Sequence, residues 1–122
     1  MSVEFSVFLI GPTKGQANEA AVQKAILREA KLAEELGFDC IWLAEHHFDA
    51  NFSTIPSPNL LLAAISQVTE RIKIGNAINV LPFHHPLRIA EEGAMLDLLS
   101  NGRFQWGIGR GITGHEFDSF GV

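Results

Sequence analysis

Cysteine is nearly missing from this chain: Cys40 stands alone among 122 residues, so no disulfide can form within it. That usage fits a reducing compartment. Basic residues are scarce too, nine Lys and Arg against fourteen Asp and Glu, a net charge of -5. The deficit argues against nucleic acid or an anionic membrane surface as partner. Long apolar runs are absent; the longest, residues 60–65, is far short of the roughly 20 that span a bilayer. Met1-Ser2-Val3-Glu4 lacks the basic stretch that opens a secretory signal, and the expectation is a cytoplasmic protein. Charge is sparse as well, at 19% against 47% hydrophobic residues, which excludes a disordered tail or linker. The length suits one ordinary domain.

The apolar residues change period along the chain. Residues 3–10 are rich in β-formers and stop at Gly11-Pro12, as a strand does. Between Ala17 and Leu36 the residues Ala21, Val22, Ala25, Ile26, Leu32, Ala33 and Leu36 recur at helical spacing, and Gly37 follows where a helix closes. Residues 39–44 read as a strand covered on both faces. A longer connection, residues 45–57, precedes Ser57-Pro58, which supplies an N-cap and a first helical residue for a helix over 59–70. A third strand is expected over 72–80, a third helix from Pro86 to Leu99 ending at Asn101-Gly102, and a fourth strand over 104–108. The tail from Gly109 reads as glycine-rich loop. Four parallel strands and three helices in strict alternation suit either a doubly wound open sheet or a (β/α)8 barrel. No composition shift marks a domain boundary.

The residues that carry chemistry gather at one end of each strand. Gly11-Pro12-Thr13 follows the first, Glu45-His46-His47-Phe48 the second, Asn76 through Pro82 with His84-His85 the third, and Gly109-Arg110-Gly111 the fourth. The opposite turns, at Gly37-Phe38, Arg71 and Gly102-Arg103, are short and carry little catalytic equipment. Strand carboxyl ends are where active sites form in both candidate architectures. Period-two alternation aims Glu45 and His47 one way and His46 the other. A histidine that reaches the cleft can pass a proton near neutral pH, while a polar exit from a buried strand is the plainer reading. His85 precedes Pro86 and suits helix entry, as does His84. Arg110 offers a planar fork for phosphate oxygens or for a salt bridge with a neighbouring loop. Adjacent histidines on a strand diverge, so a metal would need Glu45, His47 and His85 from different strands, and none is expected. Cys40 sits in an apolar strand as a small core residue.

Phe38-Asp39-Cys40-Ile41-Trp42-Leu43-Ala44-Glu45-His46-His47-Phe48 is similar to the second-strand motif of the bacterial luciferase-like flavin monooxygenases. Ile74-Gly75-Asn76-Ala77-Ile78-Asn79-Val80-Leu81-Pro82 through His85-Pro86 resembles their next motif. Asn101-Gly102-Arg103-Phe104 with Gly107-Ile108-Gly109-Arg110-Gly111 makes a third match, and Phe117 with Phe120-Gly121 a fourth. The resemblance lies nearest to the luciferase α-subunit branch and covers nearly the whole chain. It implies the N-terminal half of a TIM barrel that binds reduced FMN, supplied by a separate flavin reductase. Dioxygen then reacts to give a C4a-peroxyflavin that oxidises a small organic substrate. His46 matches the histidine implicated in catalysis and His47 its supporting neighbour. Arg110 matches the arginine that contacts the flavin phosphate, and Ala77-Ile78 fall where the family often has a non-prolyl cis peptide beneath the flavin. Gly109, counted with the cofactor site, stands where the luciferase α-subunit has a reactive cysteine, which speaks against light emission. Relatives that use F420 supply the runner-up cofactor. A metal-dependent barrel hydrolase and a non-catalytic flavin-binding partner subunit are the other readings, and the family resemblance implies a homo- or heterodimer.

A complete (β/α)8 barrel takes about 250 residues. The expectation is therefore that residues 1–122 form a partial barrel domain, an N-terminal fragment whose open sheet edges and unfilled inner face leave it poorly soluble and inactive alone.

Overall fold

Four short apolar runs, each followed by a helix, pair side by side in chain order. The computed structural model describes residues 3–14 and 18–122; the expected helix start at Ala17, and Met1-Ser2, lie outside them. The strands are β1 (Ser6–Leu9), β2 (Cys40–Leu43), β3 (Lys73–Val80) and β4 (Phe104–Gly109), forming one parallel sheet in the order β1-β2-β3-β4. Between them run α1 (Glu19–Glu35), α2 (Pro58–Val68) and α3 (Pro86–Leu99), with a 3-10 turn at Leu81–Phe83. The expected tail loop differs: it contains a fourth helix, α4 (Gly114–Phe120).

Local chemistry explains where the helices begin and end. Asn18 caps α1, its Oδ1 accepting from the Ala21 N–H at 2.7 Å. Gly37 closes the same helix at φ +86°, with Phe38 N donating to Ala33 O and Gly37 N to Glu34 O. Pro58 opens α2, although Ser57 makes no side-chain cap bond. His85 enters α3 as expected, its Nδ1 accepting from Leu87 N at 3.3 Å.

Alternation along the strands sorts the side chains. Ile41, Leu43 and Ile74 are fully buried against Ile26 and Ala30 of α1, Leu62 and Ile65 of α2 and Leu96 of α3. This helix-covered face is the hydrophobic core. The other face carries Phe8, 51% exposed, and Trp42, whose ring lies over Gly75 so closely that a Cβ there would stand 2.5 Å from Trp42 Cζ3. Among the described residues no element covers that inner face. Cys40 is buried, and burial pushes its thiol up to about 11, as suits a core residue. Among the described residues no helix is long and apolar enough to cross a membrane.

The amino ends of the strands are bound together by two charged side chains. Arg103, which begins the last turn before β4, donates to the carbonyls of Ser66, Thr69, Ile72 and Ser100 and to Thr69 Oγ1, at 2.7–3.1 Å. One guanidinium thus joins the ends of α2 and α3 to the start of β3. Glu34 of α1 accepts the backbone N–H groups of Glu70, Arg71 and Ile72 at 2.6–3.1 Å. Burial opposes its charge, but these donors and the Arg71 cation together hold its carboxyl below the usual value.

Two tests follow from these clamps in the full-length protein. Arg103→Lys keeps the charge but loses the planar fork, and should lower unfolding stability by about 1–3 kcal/mol in a urea titration. A carboxyl whose pKa is lowered by folding stabilises most above its ordinary value, here 4.5, and loses that effect as pH falls. The stability gap between wild type and Glu34→Gln should therefore be widest near neutral pH and narrow steadily in acid.

Candidate active site

The carboxyl end of β2 delivers three polar residues in succession, and the strand's alternation separates them. Glu45 turns inward and is 2% exposed. Its Oε1 meets His47 Nε2 at 3.1 Å and His84 Nε2 at 2.8 Å. Its Oε2 accepts from Val80 N at 2.9 Å and Asn79 Nδ2 at 3.3 Å. Asn79 Oδ1 in turn accepts from Trp106 Nε1 at 3.0 Å, so the network reaches β4. A buried carboxylate needs such donors, and here they come from β3, the turn after it and its own segment. His84, expected at helix entry, is one of them; only His85 takes the entry role.

His46 turns the other way. Its Nδ1 lies 3.2 Å from Glu116 Oε1, and its ring meets Phe52 edge-on at 4.7 Å. Glu116 belongs to α4, is 2% exposed, and also accepts the His47 N–H at 2.8 Å. His115 of α4 donates from Nε2 to the His47 carbonyl at 3.2 Å. The helix that the sequence reading missed is therefore tied directly to the two histidines. A signal for it exists: Thr113-x-x-Glu116 before Phe117 has capping-box spacing. In the fold Thr113 makes no side-chain cap, and Glu116 is committed to the β2 segment instead.

His47 is enclosed. Phe83 and Phe120 stack at 4.5 Å, both meet the His47 ring edge-on at 5.6 and 4.8 Å, and Phe117 packs on Phe83 at 5.1 Å. Phe48 follows at φ +64°, an uncommon conformation for a bulky side chain, and also contacts Phe120. This aromatic box anchors α4 over the strand ends.

A cleft of about 450 Å³ opens beside it, lined by Glu45, His46, Ala77, Ile78, Arg110 and Glu116 among others. Of the residues singled out from the sequence, His46, Ala77, Ile78 and Arg110 meet here, whereas His47 lies behind in the aromatic box. The Ala77–Ile78 peptide is cis. Gly109 sits under Ile78, where a Cβ would stand 2.5 Å from Ile78 Cδ1, and at Gly107 a Cβ would collide with the Asn76 carbonyl. These glycines let β4 approach β3 closely. Arg110 is exposed and has no hydrogen bond or ion pair among the described residues, so the neighbouring-loop salt bridge is not formed. Among the described residues no group of three His, Cys, Asp or Glu side chains is arranged to hold a metal ion. Glu45 and His47 do meet, but with His84 rather than His85.

The Gly11-Pro12-Thr13 cluster serves a different purpose. Gly11 O accepts from Thr54 N, and Thr13 N donates to Ala50 O, so the loop after β1 braces the connection between β2 and α2. A larger groove of about 800 Å³ runs between the free edge of β1 and α1, with Lys14 its one cation among the described residues.

Comparison with known proteins places this arrangement. The sequence model of the luciferase-like monooxygenases matches residues 3–122. The alkanal monooxygenase alpha chain of Photorhabdus luminescens is 37% identical over 98% of this chain and 33% of its own length. Among solved structures, the oxygenating constituent of 3,6-diketocamphane monooxygenase from Pseudomonas putida, in complex with FMN, superposes with a TM-score of 0.93. It is 25% identical, over 99% of this chain and 33% of that one. The coenzyme F420 dependent tetrahydromethanopterin reductase of Methanopyrus kandleri superposes at 0.76 with 30% identity, over 100% of this chain and 31% of that one. The chain thus spans about a third of the length of the relatives it matches. These solved enzymes share the fold, and four parallel strands with their helices correspond to the N-terminal part of a luciferase-like TIM barrel.

The Glu45 network generates its own test. Glu45→Ala strands the Val80 N–H and two imidazole nitrogens in a buried site, and is expected to lower stability by about 2–4 kcal/mol. Chemical unfolding of the full-length variant measures it; a change under about 0.5 kcal/mol would show the network to be idle.

Proposed function

The chain belongs to the luciferase-like monooxygenase family, and on that premise we propose that the protein carrying it is an FMN-dependent monooxygenase acting on a small organic substrate. The observation that supports this most is the cleft at the strand carboxyl ends. It combines apolar walls at Ala77, Ile78, Val80 and Ile112 with the His46 imidazole, the carboxyls of Glu45 and Glu116, and a guanidinium that has no partner among the described residues. Small-molecule sites have that character, mostly apolar with a few placed polar groups.

The residues suit the cofactor. Arg110 has no partner within the described residues, and its fork matches the phosphate oxygens of FMN. Gly109 and Gly111 flank it and keep the backbone open to the ligand, Gly111 at φ +82°. Ala77 and Ile78, which line the cleft, would hold the flavin ring system. His46 moves a proton at the reacting end, and His47 supports it by fixing the segment against Glu45 and α4. Bound reduced FMN supplies two electrons for splitting dioxygen, one atom entering the substrate and the other leaving as water. Flavin must arrive reduced, so a separate reductase is the partner implied; the FMN-bound relative is itself named as an oxygenating constituent. F420 is the second reading, favoured by the likeness to the F420-dependent reductase.

Anaerobic titration of the full-length protein with reduced FMN should show one binding site per chain. Arg110→Met should weaken it about tenfold or more, the loss of one charge-assisted contact. His46→Ala should lower oxygen-dependent turnover at least a hundredfold while changing the FMN dissociation constant little. Absence of FMN binding would end the proposal, and binding of reduced F420 in its place would establish the second reading.

A further inference from the structure

We infer that Glu116 is a positioning residue that fixes the tautomer of His46, so that His46 enters the reaction as a proton acceptor at Nε2. The argument begins with the Glu116 carboxyl, which is buried and reaches the β2 segment from a helix seventy residues away. Its Oε1 accepts the His47 backbone N–H at 2.8 Å. A backbone N–H can only donate, so this oxygen accepts there; with the carboxyl ionised, or with its proton on the other oxygen, it can only accept from His46 as well. The same Oε1 faces His46 Nδ1 at 3.2 Å. An acceptor on one side requires a donor on the other, and His46 Nδ1 therefore bears hydrogen.

In the neutral imidazole the remaining nitrogen is then unprotonated. Nε2 has no hydrogen-bond partner among the described residues, and His46 lines the cleft. The other charged or titratable groups around the cleft are Glu45 from the end of β2 and Arg110 after β4, with His115 beside Glu116 on α4. Glu45 is already occupied by His47, His84, Asn79 and Val80, and so does not compete for His46. When Nε2 takes one proton from an acid in the cleft, the ring becomes imidazolium. The Nδ1 proton stays in place, the carboxylate of Glu116 offsets the new charge, and the proton later leaves to water. Adjacent histidines thus have separate carboxylates and separate tasks: Glu116 orients His46 toward chemistry, and Glu45 holds His47 as structure.

The inference rests on the proposed role of His46 but can be tested apart from it. In flavin-free full-length protein with 15N-labelled histidine, the His46 signal is identified by its loss in His46→Gln. The expected spectrum shows neutral His46 protonated at Nδ1 and bare at Nε2. Glu116→Gln keeps the shape but presents an amide that can donate, so the Nε2–H tautomer should appear. Oxygen-dependent turnover should fall about tenfold or more with the FMN dissociation constant unchanged within twofold. A His46 protonated at Nε2 in the wild type would overturn the inference without any variant, as would a Glu116→Gln protein with wild-type tautomer and turnover. Failure to bind FMN would sink the functional reading alone, since the tautomer is read without cofactor.

Discussion

A carboxylate placed where parallel strands end has little water to serve it, and everything near it must supply hydrogen. Glu45 is that group. Two imidazoles, an amide side chain and a backbone N–H converge on it from the segment after β2, from β3 and from the turn beyond. The requirement is strict because an unpaired buried charge costs several kcal/mol. It explains why His47 and His84 face inward, why Asn79 holds its register, and why the strand ends keep a fixed spacing. The cleft is the space left over once this network is satisfied.

The two ends of the sheet divide their work. At the amino ends, Arg103 and Glu34 spend their hydrogen bonds on neighbouring turns, almost all of them on backbone groups. At the carboxyl ends, among the described residues, the guanidinium of Arg110 is left free and the imidazole of His46 keeps one nitrogen unengaged. Charged residues are present at both ends, and only their saturation differs. A barrel that places stability on one rim and chemistry on the other shows the same division.

Much of this was legible in the residues. The shift between helical and period-two spacing located seven elements, because each buries one face against the next. Gly37 and His85-Pro86 marked helix ends through local geometry that needs no partner. Alternation also separated His46 from His47 correctly. The misses share a cause. Helix α4 has seven residues and too few apolar positions for a stripe, so its existence depends on contacts with Phe83 and the histidines. His84 looked like part of a helix entry because its partner lies on another strand. Arg103 sat in a turn that looked bare, and its acceptors are carbonyls, which leave no trace in side-chain identity.

The sheet grows by adding each strand to the one before, yet the site does not mature in that order. His46 and His47 emerge early in synthesis, while Glu116 and Phe120 follow some seventy residues later. Contacts so distant along the chain bear the loop-closure entropy before they return any stabilisation. The growing polypeptide can therefore pair β1 to β3 on the ribosome with the histidine segment after β2 still unlatched. The contacts of Glu116 with His46 and His47 can form only in a late step, when α4 leaves the exit tunnel and docks.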